Sequence, residues 1–175
     1  MPILPNIKAD LRRYDMSFLR AYLLIPGFKY MFYFRLVSLP FPLCLPFKLK
    51  LLFMQHKYGI QIPWNTSIGK GFYIGHYGTI VVNCYSKIGV NVNISHGVTI
   101  GQSSRGKNEG YPTIGDRVYI GPGAKIIGNI KVGNNVAIGA NAVVTKDVPD
   151  GACVAGVPAK IISMEGSKGY VINLC

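Results

Sequence analysis

From Ile62 onward an aliphatic residue recurs every six positions, and few folds tolerate that spacing. Ile62, Ile68, Ile74 and Ile80 keep strict register; after two extra residues come Ile88, Ile94 and Ile100; after eight more come Ile114, Ile120, Ile126, Val132, Ile138 and Val144. Glycine follows many of them, as at Gly69, Gly75, Gly89, Gly101, Gly115, Gly121, Gly133 and Gly139, and four positions on there is often another compact or branched residue, such as Val92, Val98, Val118, Ala124, Val136 or Ala142. A fixed internal period marks a solenoid, and a period of six belongs to parallel β-helices. Each hexad then supplies one short strand, and three hexads close a triangular coil of about 18 residues. The alternation of an ordinary β-sandwich has period two and does not explain why glycine follows the aliphatic residue in so many hexads.

The chain has 175 residues. It divides into a basic, aromatic helical region over 1–57, the β-helix over 58–162 with a polar excursion at 102–112, and a tail over 163–175. Nothing at the N-terminus resembles a cleavable signal peptide. The four cysteines, Cys44, Cys84, Cys153 and Cys175, show neither metal spacing nor a disulfide framework, so no metal is expected and a reducing cytoplasm suits them.

Charge is unevenly spread. Residues 1–60 hold nine Lys and Arg against Asp10 and Asp15, a balance of +7 within a total of +12. The same segment carries the run Phe28-Lys-Tyr-Met-Phe-Tyr-Phe-Arg-Leu36. Its longest uncharged run, Leu36–Phe47, has 12 residues and contains Pro40, Pro42 and Pro46, too short and too proline-rich to span a bilayer as a helix. Two readings stay open. The segment is a helical cap packed on the first coil and on sister subunits, or it contacts anionic lipid peripherally at the inner face of a membrane. The basic residues form no nucleic-acid-binding motif.

Of three histidines, His76 and His96 both take the third position of a hexad, which projects outward, and they are 20 residues apart. With the two extra residues near Tyr85–Lys87 bulged out at a corner, His96 stacks one coil above His76 on the same face. His56, at the junction, reads as surface. The excursion from Gln102 to Tyr111 leaves the helix just after His96, so it can arch over that face or a neighbour's, and loops that interrupt a solenoid are where function is usually placed.

The pieces Ile68-Gly-Lys-Gly-Phe-Tyr-Ile-Gly-His76, His96-Gly-Val-Thr-Ile-Gly101, Ile120-Gly-Pro-Gly-Ala-Lys-Ile-Ile-Gly-Asn129 and Gly156-Val-Pro-Ala-Lys160 resemble the hexapeptide-repeat acyltransferases, and within them the serine acetyltransferase branch. Asn6–Asp15 and Ile25-Pro-Gly-Phe28 echo that branch's helical N-terminal region more weakly. The resemblance implies an all-β, left-handed parallel β-helix of hexapeptide repeats with a short helical N-terminal cap. It further implies a homotrimer with coenzyme A between adjacent prisms, and acetyl-CoA as donor. His76 is then the general base and His96 a positioning group. Gly101, Pro122 and Ala140 line the pantetheine channel, with Lys146 and Lys160 at the phosphates.

Two departures bear on the acceptor. Where the serine enzymes have an aspartate ahead of the first hexads, this chain has Gln61, and their Asp-His and Arg-His-Pro sequences read Gly75-His76 and Gly110-Tyr111-Pro112 here. Gln61 and the Gly-His-Tyr-Gly stretch that includes Tyr77 are closer in pattern to colanic-acid-type exopolysaccharide O-acetyltransferases. Gln61, Tyr77 and Tyr111 are therefore expected to meet the acceptor, a small-molecule or lipid-linked sugar. The alternatives are serine, in cysteine biosynthesis, or a non-catalytic β-helical scaffold. An imidazole, with an ordinary pKa of about 6.5, is largely neutral at cytoplasmic pH and can take a hydroxyl proton.

Overall fold

The computed structural model describes residues 3–175. Four helices come first: α1 (Ile3–Arg12), α2 (Phe18–Leu24), α3 (Pro26–Leu36) and α4 (Leu45–Tyr58). Proline sits in the first turn of α3 and of α4, where its missing N–H costs nothing, and Gly59 ends α4 in the left-handed conformation at φ 62°. The helical part thus forms the expected N-terminal cap, and its four helices span about a third of the chain.

From Ile60 the chain winds as a three-faced parallel β-helix. Face A stacks the strands Ile60–Gln61, Ile80–Val82, Thr99–Gly101, Lys125–Ile127 and Val143–Val144. Face B stacks Ser67–Ile68, Lys87–Ile88, Thr113–Ile114 and Lys131–Val132. Face C stacks Tyr73–Ile74, Asn93–Ile94, Tyr119–Ile120, Ala137–Ile138 and Cys153–Ala155, and Lys160–Ser163 closes it as an antiparallel edge. Every pairing but that last one is parallel. The aliphatic period becomes three buried ladders, among them Ile74, Ile94, Ile120, Ile138 and Val154 under face C.

The register corrects one expectation. Val82, rather than Ile80, stacks on Ile100, and Ile80 pairs back onto Ile60. The two extra residues therefore lie between Ile74 and Val82, in the corner just after His76, and not at Tyr85–Lys87. Gly78 and Thr79 take positive φ there, at 112° and 49°. The histidines stay aligned because the bulge follows His76 within the same coil.

The first coil exposes the lower edge of a stack, where N–H and C=O groups have no preceding coil to pair with. Side chains from the helices take those places. Arg35 donates to the carbonyls of Ile68 (2.8 Å) and Gly69 (2.6 Å) while pairing with Asp10 at 2.8 Å. Asp10 accepts from the Phe72 N–H at 2.9 Å, and Arg13 donates to the Gly71 carbonyl at 2.8 Å. Tyr30 donates to the Ile62 carbonyl at 2.8 Å. The Tyr14 hydroxyl donates to the Ile74 carbonyl and accepts from the Ile74 N–H, at 3.2 and 3.1 Å. Burial pushes the Tyr14 phenol upward, so it remains a donor, and raises the Asp10 carboxyl against the pull of Arg35. Helix α3 lies so close to face C that a Cβ on Gly27 would sit 2.3 Å from the Ile74 carbonyl oxygen. Phe28, Tyr30, Met31 and Phe34 are buried with it. Two of the basic residues and most of the aromatics of this segment are thus spent on capping.

The tail runs back along the corner between faces B and C. Ser167 binds the Asn135 and Arg117 carbonyls, Tyr170 stacks on Tyr119 at 4.6 Å, and the Ile172 carbonyl accepts from Arg13 at 2.9 Å. It thereby joins the last coil to the cap.

Asp10 and Arg35 are 1% and 4% exposed, so removing one partner strands a buried charge. Asp10→Asn is expected to lower the unfolding free energy by about 3–5 kcal/mol in urea titration. Asp10→Asn combined with Arg35→Met should recover only part of that loss, because the Ile68 and Gly69 carbonyls stay unpaired. Tyr14→Phe is expected to cost about 1–3 kcal/mol by leaving both Ile74 groups unsatisfied, read in the same titration.

Candidate functional site

The two candidate histidines lie at the corner between faces C and A. Extending the register of face C upward by two residues puts His76, His96, Pro122, Ala140 and Gly156 in one vertical column. Backbone bonds tie it coil to coil: the Gly97 N–H donates to the Gly78 carbonyl, Gly123 to His96 and Asn141 to Pro122, at 2.9, 2.9 and 2.8 Å. The two imidazoles stand edge to face, with ring centroids 5.9 Å apart and planes at 82°, and both are exposed. Among the described residues, neither ring hydrogen-bonds another protein group, and no three His, Cys, Asp or Glu side chains converge as a metal site would need.

The turn above His96 is tight. Gly123 has φ 71°, the left-handed region that favours glycine, and a Cβ there would lie 2.0 Å from the Asn141 side-chain oxygen, which would have to move aside. Small residues at this corner, Gly97, Gly123, Gly139 and Gly156, leave a narrow strip running up from the histidines. Pro122 and Ala140 lie on the strip.

The other expected site residues are spread over faces A and C of the single chain. Gly101 pairs with Ile127 at the opposite edge of face A, where the polar excursion departs. That loop is a small hairpin, with Ser103 and Gly110 bridged antiparallel, and it folds upward along its own corner. Asn108 holds it there, donating to the Thr145 carbonyl at 2.8 Å and accepting from the Asn129 N–H at 2.8 Å. Tyr111 packs on Tyr85 with ring centroids 4.8 Å apart. Within one chain, then, the loop, Tyr111, Gly101 and Lys146 are separated from the histidine column by the width of face A. The loop arches over neither histidine of its own chain. Gln61 is exposed in the lowest strand of face A, opposite Val81, and makes no hydrogen bond to His76 among the described residues. Tyr77 adjoins His76 and packs edge-on against Tyr58 at 5.3 Å. Lys160 is exposed beside the top of the column, opposite Ala155. His56 is exposed and bonds only the Leu52 carbonyl one helical turn back.

One residue at the site escaped the sequence reading. Lys125 stands on the outer side of face A above Thr99, and its Nζ donates to the Gly97 carbonyl, next to His96. It places a cation at the backbone of the residue that follows His96. The signal was available: Lys125 immediately precedes the inward Ile126, so the coil register puts it outside, over the strand that follows His96.

Comparison with known proteins agrees with this geometry. The family model described as bacterial transferase hexapeptide (six repeats) matches residues 111–146. A serine acetyltransferase of Helicobacter pylori (strain J99 / ATCC 700824) is 44% identical over 107 residues, covering 61% of this chain and 63% of that protein. Soybean serine acetyltransferase complexed with serine superposes with a TM-score of 0.77 at 32% identity, over 91% of this chain and 69% of its own. A serine acetyltransferase in complex with CoA gives 0.73 at 34% identity, over 91% and 69%. The chain spans less than two thirds of the Helicobacter relative's length. The named relatives support the serine acetyltransferase branch, and the likeness to exopolysaccharide O-acetyltransferases finds no support among them. Identical at 32% to the soybean enzyme over 69% of that enzyme's length, the chain belongs to the serine acetyltransferase family of hexapeptide-repeat transferases.

Proposed function

We propose that this protein is an O-acetyltransferase that moves an acetyl group from acetyl-CoA to a hydroxyl held beside His76. The observation that carries the reading is the column of exposed His76 and His96 below a strip of small residues. The donor arrives activated as a thioester, so the protein need supply only a base, a positive or N–H environment for the oxyanion, and positioning. His76 takes the hydroxyl proton as the oxygen bonds to the acetyl carbon. The C–S bond then breaks, and the imidazolium returns the proton to the departing thiolate. His96, one coil above, positions a substrate. Lys125 stabilises negative charge near Gly97, either on the oxyanion or on an acceptor carboxylate. Pro122 and Ala140 border the pantetheine, and Lys160 lies where phosphates would end.

Serine is the acceptor that the relatives support. One observation favours a second reading, an uncharged sugar hydroxyl. The positions flanking the imidazoles are Gly75, Tyr77, Gly97 and Pro122, and Gln61 replaces a carboxylate. A zwitterion would therefore find Lys125 but no anion at these positions to hold its ammonium.

We also infer a homotrimer. Face A carries the histidine column on one edge and the loop with Tyr111, Gly101 and Lys146 on the other. Threefold packing about that face brings the loop of one copy to the column of the next and completes the site between copies. Light scattering on the purified chain should give three times the monomer mass of 19.1 kDa.

Release of free thiol from acetyl-CoA tests the reaction, first with serine and then with a panel of glycans. Turnover with serine supports the first reading, turnover confined to glycans the second, and none with either leaves only a scaffold. His76→Ala is expected to lower kcat by about 10²–10⁴-fold. His96→Ala should be milder and felt mainly in KM. Lys125→Met is expected to reduce kcat/KM by about tenfold to a hundredfold, the loss of one charge-assisted hydrogen bond. Near-normal turnover of the His76 variant would remove the assignment of the base.

A further inference from the structure

Helix α4 has two apolar sides, and only one of them is used. At about 100° per residue, Phe47, Leu51, Met54 and Tyr58 fall on one side. Leu51 and Met54 are buried, and Tyr58 packs against the main core. Leu45, Leu49, Leu52 and Phe53 fall on the opposite side and are 43%, 68%, 38% and 59% exposed. Lys48 flanks this outer stripe on one edge, and Lys50 and Lys57 flank it on the other. The turn that leads into α4 exposes Phe41 and Leu43, and α2 exposes Leu19, Leu23 and Leu24 with Arg20 between them. A row of partly buried rings, Tyr22 on Tyr33 and Tyr33 on Phe47, joins α2 to α4 across α3.

The charge of this surface has one sign. No Asp or Glu occurs between Asp15 and Glu109, so nothing acidic lies anywhere in α2, α3 or α4. Arg13 and Arg35 are consumed by the cap, but Arg20, Lys48, Lys50 and Lys57 are not hydrogen-bonded or paired to any acid among the described residues. No helix among the described residues is long and apolar enough to cross a membrane.

We propose that the outer stripe of α4, with the 37–44 turn and α2, docks on the surface of a bilayer containing anionic lipid. An apolar stripe bordered by lysines on both sides suits a helix lying in the interface plane: leucine and phenylalanine enter the acyl boundary, and the lysines reach sideways to the headgroups. A second copy of this chain fits less well, because it would present the same lysines to each other with no carboxylate to separate them. The inference is independent of which hydroxyl is acetylated.

Flotation of the purified full chain tests it, using vesicles of phosphatidylcholine alone and vesicles that also contain phosphatidylglycerol. At low salt the protein should float with the anionic vesicles and remain with the unbound fraction for the neutral ones. High salt should release it as the Debye length falls from about 10 Å at 0.1 M to about 3 Å at 1 M. Each lysine near an anionic surface contributes about fivefold, so replacing Lys48, Lys50 and Lys57 by Gln should weaken partition by about a hundredfold. Leu49→Glu with Phe53→Glu should abolish it while circular dichroism and thiol release stay at parental values. Absence of flotation with anionic vesicles at low salt would overturn the proposal, as would flotation undiminished in both variants. So would a Leu49→Glu, Phe53→Glu protein that falls apart by light scattering when the parent binds no vesicles, which would make the stripe a contact between copies.

Discussion

A stack of parallel strands has two open ends, and at each one the backbone groups of a whole coil lack partners of their own kind. In this protein the lower end is closed by side chains rather than by another coil. Arg35, Asp10, Arg13, Tyr14 and Tyr30 reach the backbone of Ile62, Ile68, Gly69, Gly71, Phe72 and Ile74. The arrangement places an ion pair and two phenols where burial is expensive, and each is held there because it satisfies a backbone group that burial would otherwise leave alone. The upper end is closed differently. Lys160–Ser163 adds an antiparallel edge to face C, and the tail then descends the B–C corner to Arg13. The cap and the tail thus meet, and the coils between them are held from both ends.

That closure bears directly on the candidate site. Ile74, whose N–H and C=O both bond to Tyr14, lies two residues before His76. The strand presenting the first histidine is therefore fixed by the helical bundle, whereas the second histidine inherits its place from the coil below. The bulge at Gly78 and Thr79 follows immediately, on the side of the column where a substrate would approach. Regular stacking resumes above it, which leaves a straight strip of small residues along Pro122 and Ala140.

Much of this was legible in order. The six-residue period specified the parallel coils, because an inward aliphatic residue followed by a residue able to turn a corner has few other uses. The alignment of His96 over His76 followed from counting. The count located the pair correctly although the extra two residues were assigned to the wrong corner: any insertion between the two positions leaves the same sum, so spacing alone does not say where a bulge falls. Lys125 went unnoticed because its place beside His96 depends on a side chain leaning across to the Gly97 carbonyl of the coil below. The polar loop left a choice open, its own face or a neighbour's, for a related reason. Its departure point was evident, but Asn108 ties it to Asn129 and Thr145 on its own corner, and those bonds link residues with no common pattern.

The basic N-terminal third shows most clearly where sequence stops and structure decides. Composition established that the segment is cationic, aromatic and unable to span a bilayer, properties that sum over residues whatever their arrangement. It did not separate Arg13 and Arg35, which are buried against coil edges, from Lys48, Lys50 and Lys57, which border an exposed apolar stripe. That division depends on which side of α3 and α4 meets the first coil, and an apolar residue lies on both sides of α4. The hexad period by itself determined the coils and the facing histidines, since both are repeats along the chain. Only the tertiary structure decided which charges close the stack, which remain free, and which edge of face A receives each part of the site, because those choices are made between residues far apart in sequence by hydrogen bonds that no local spacing encodes.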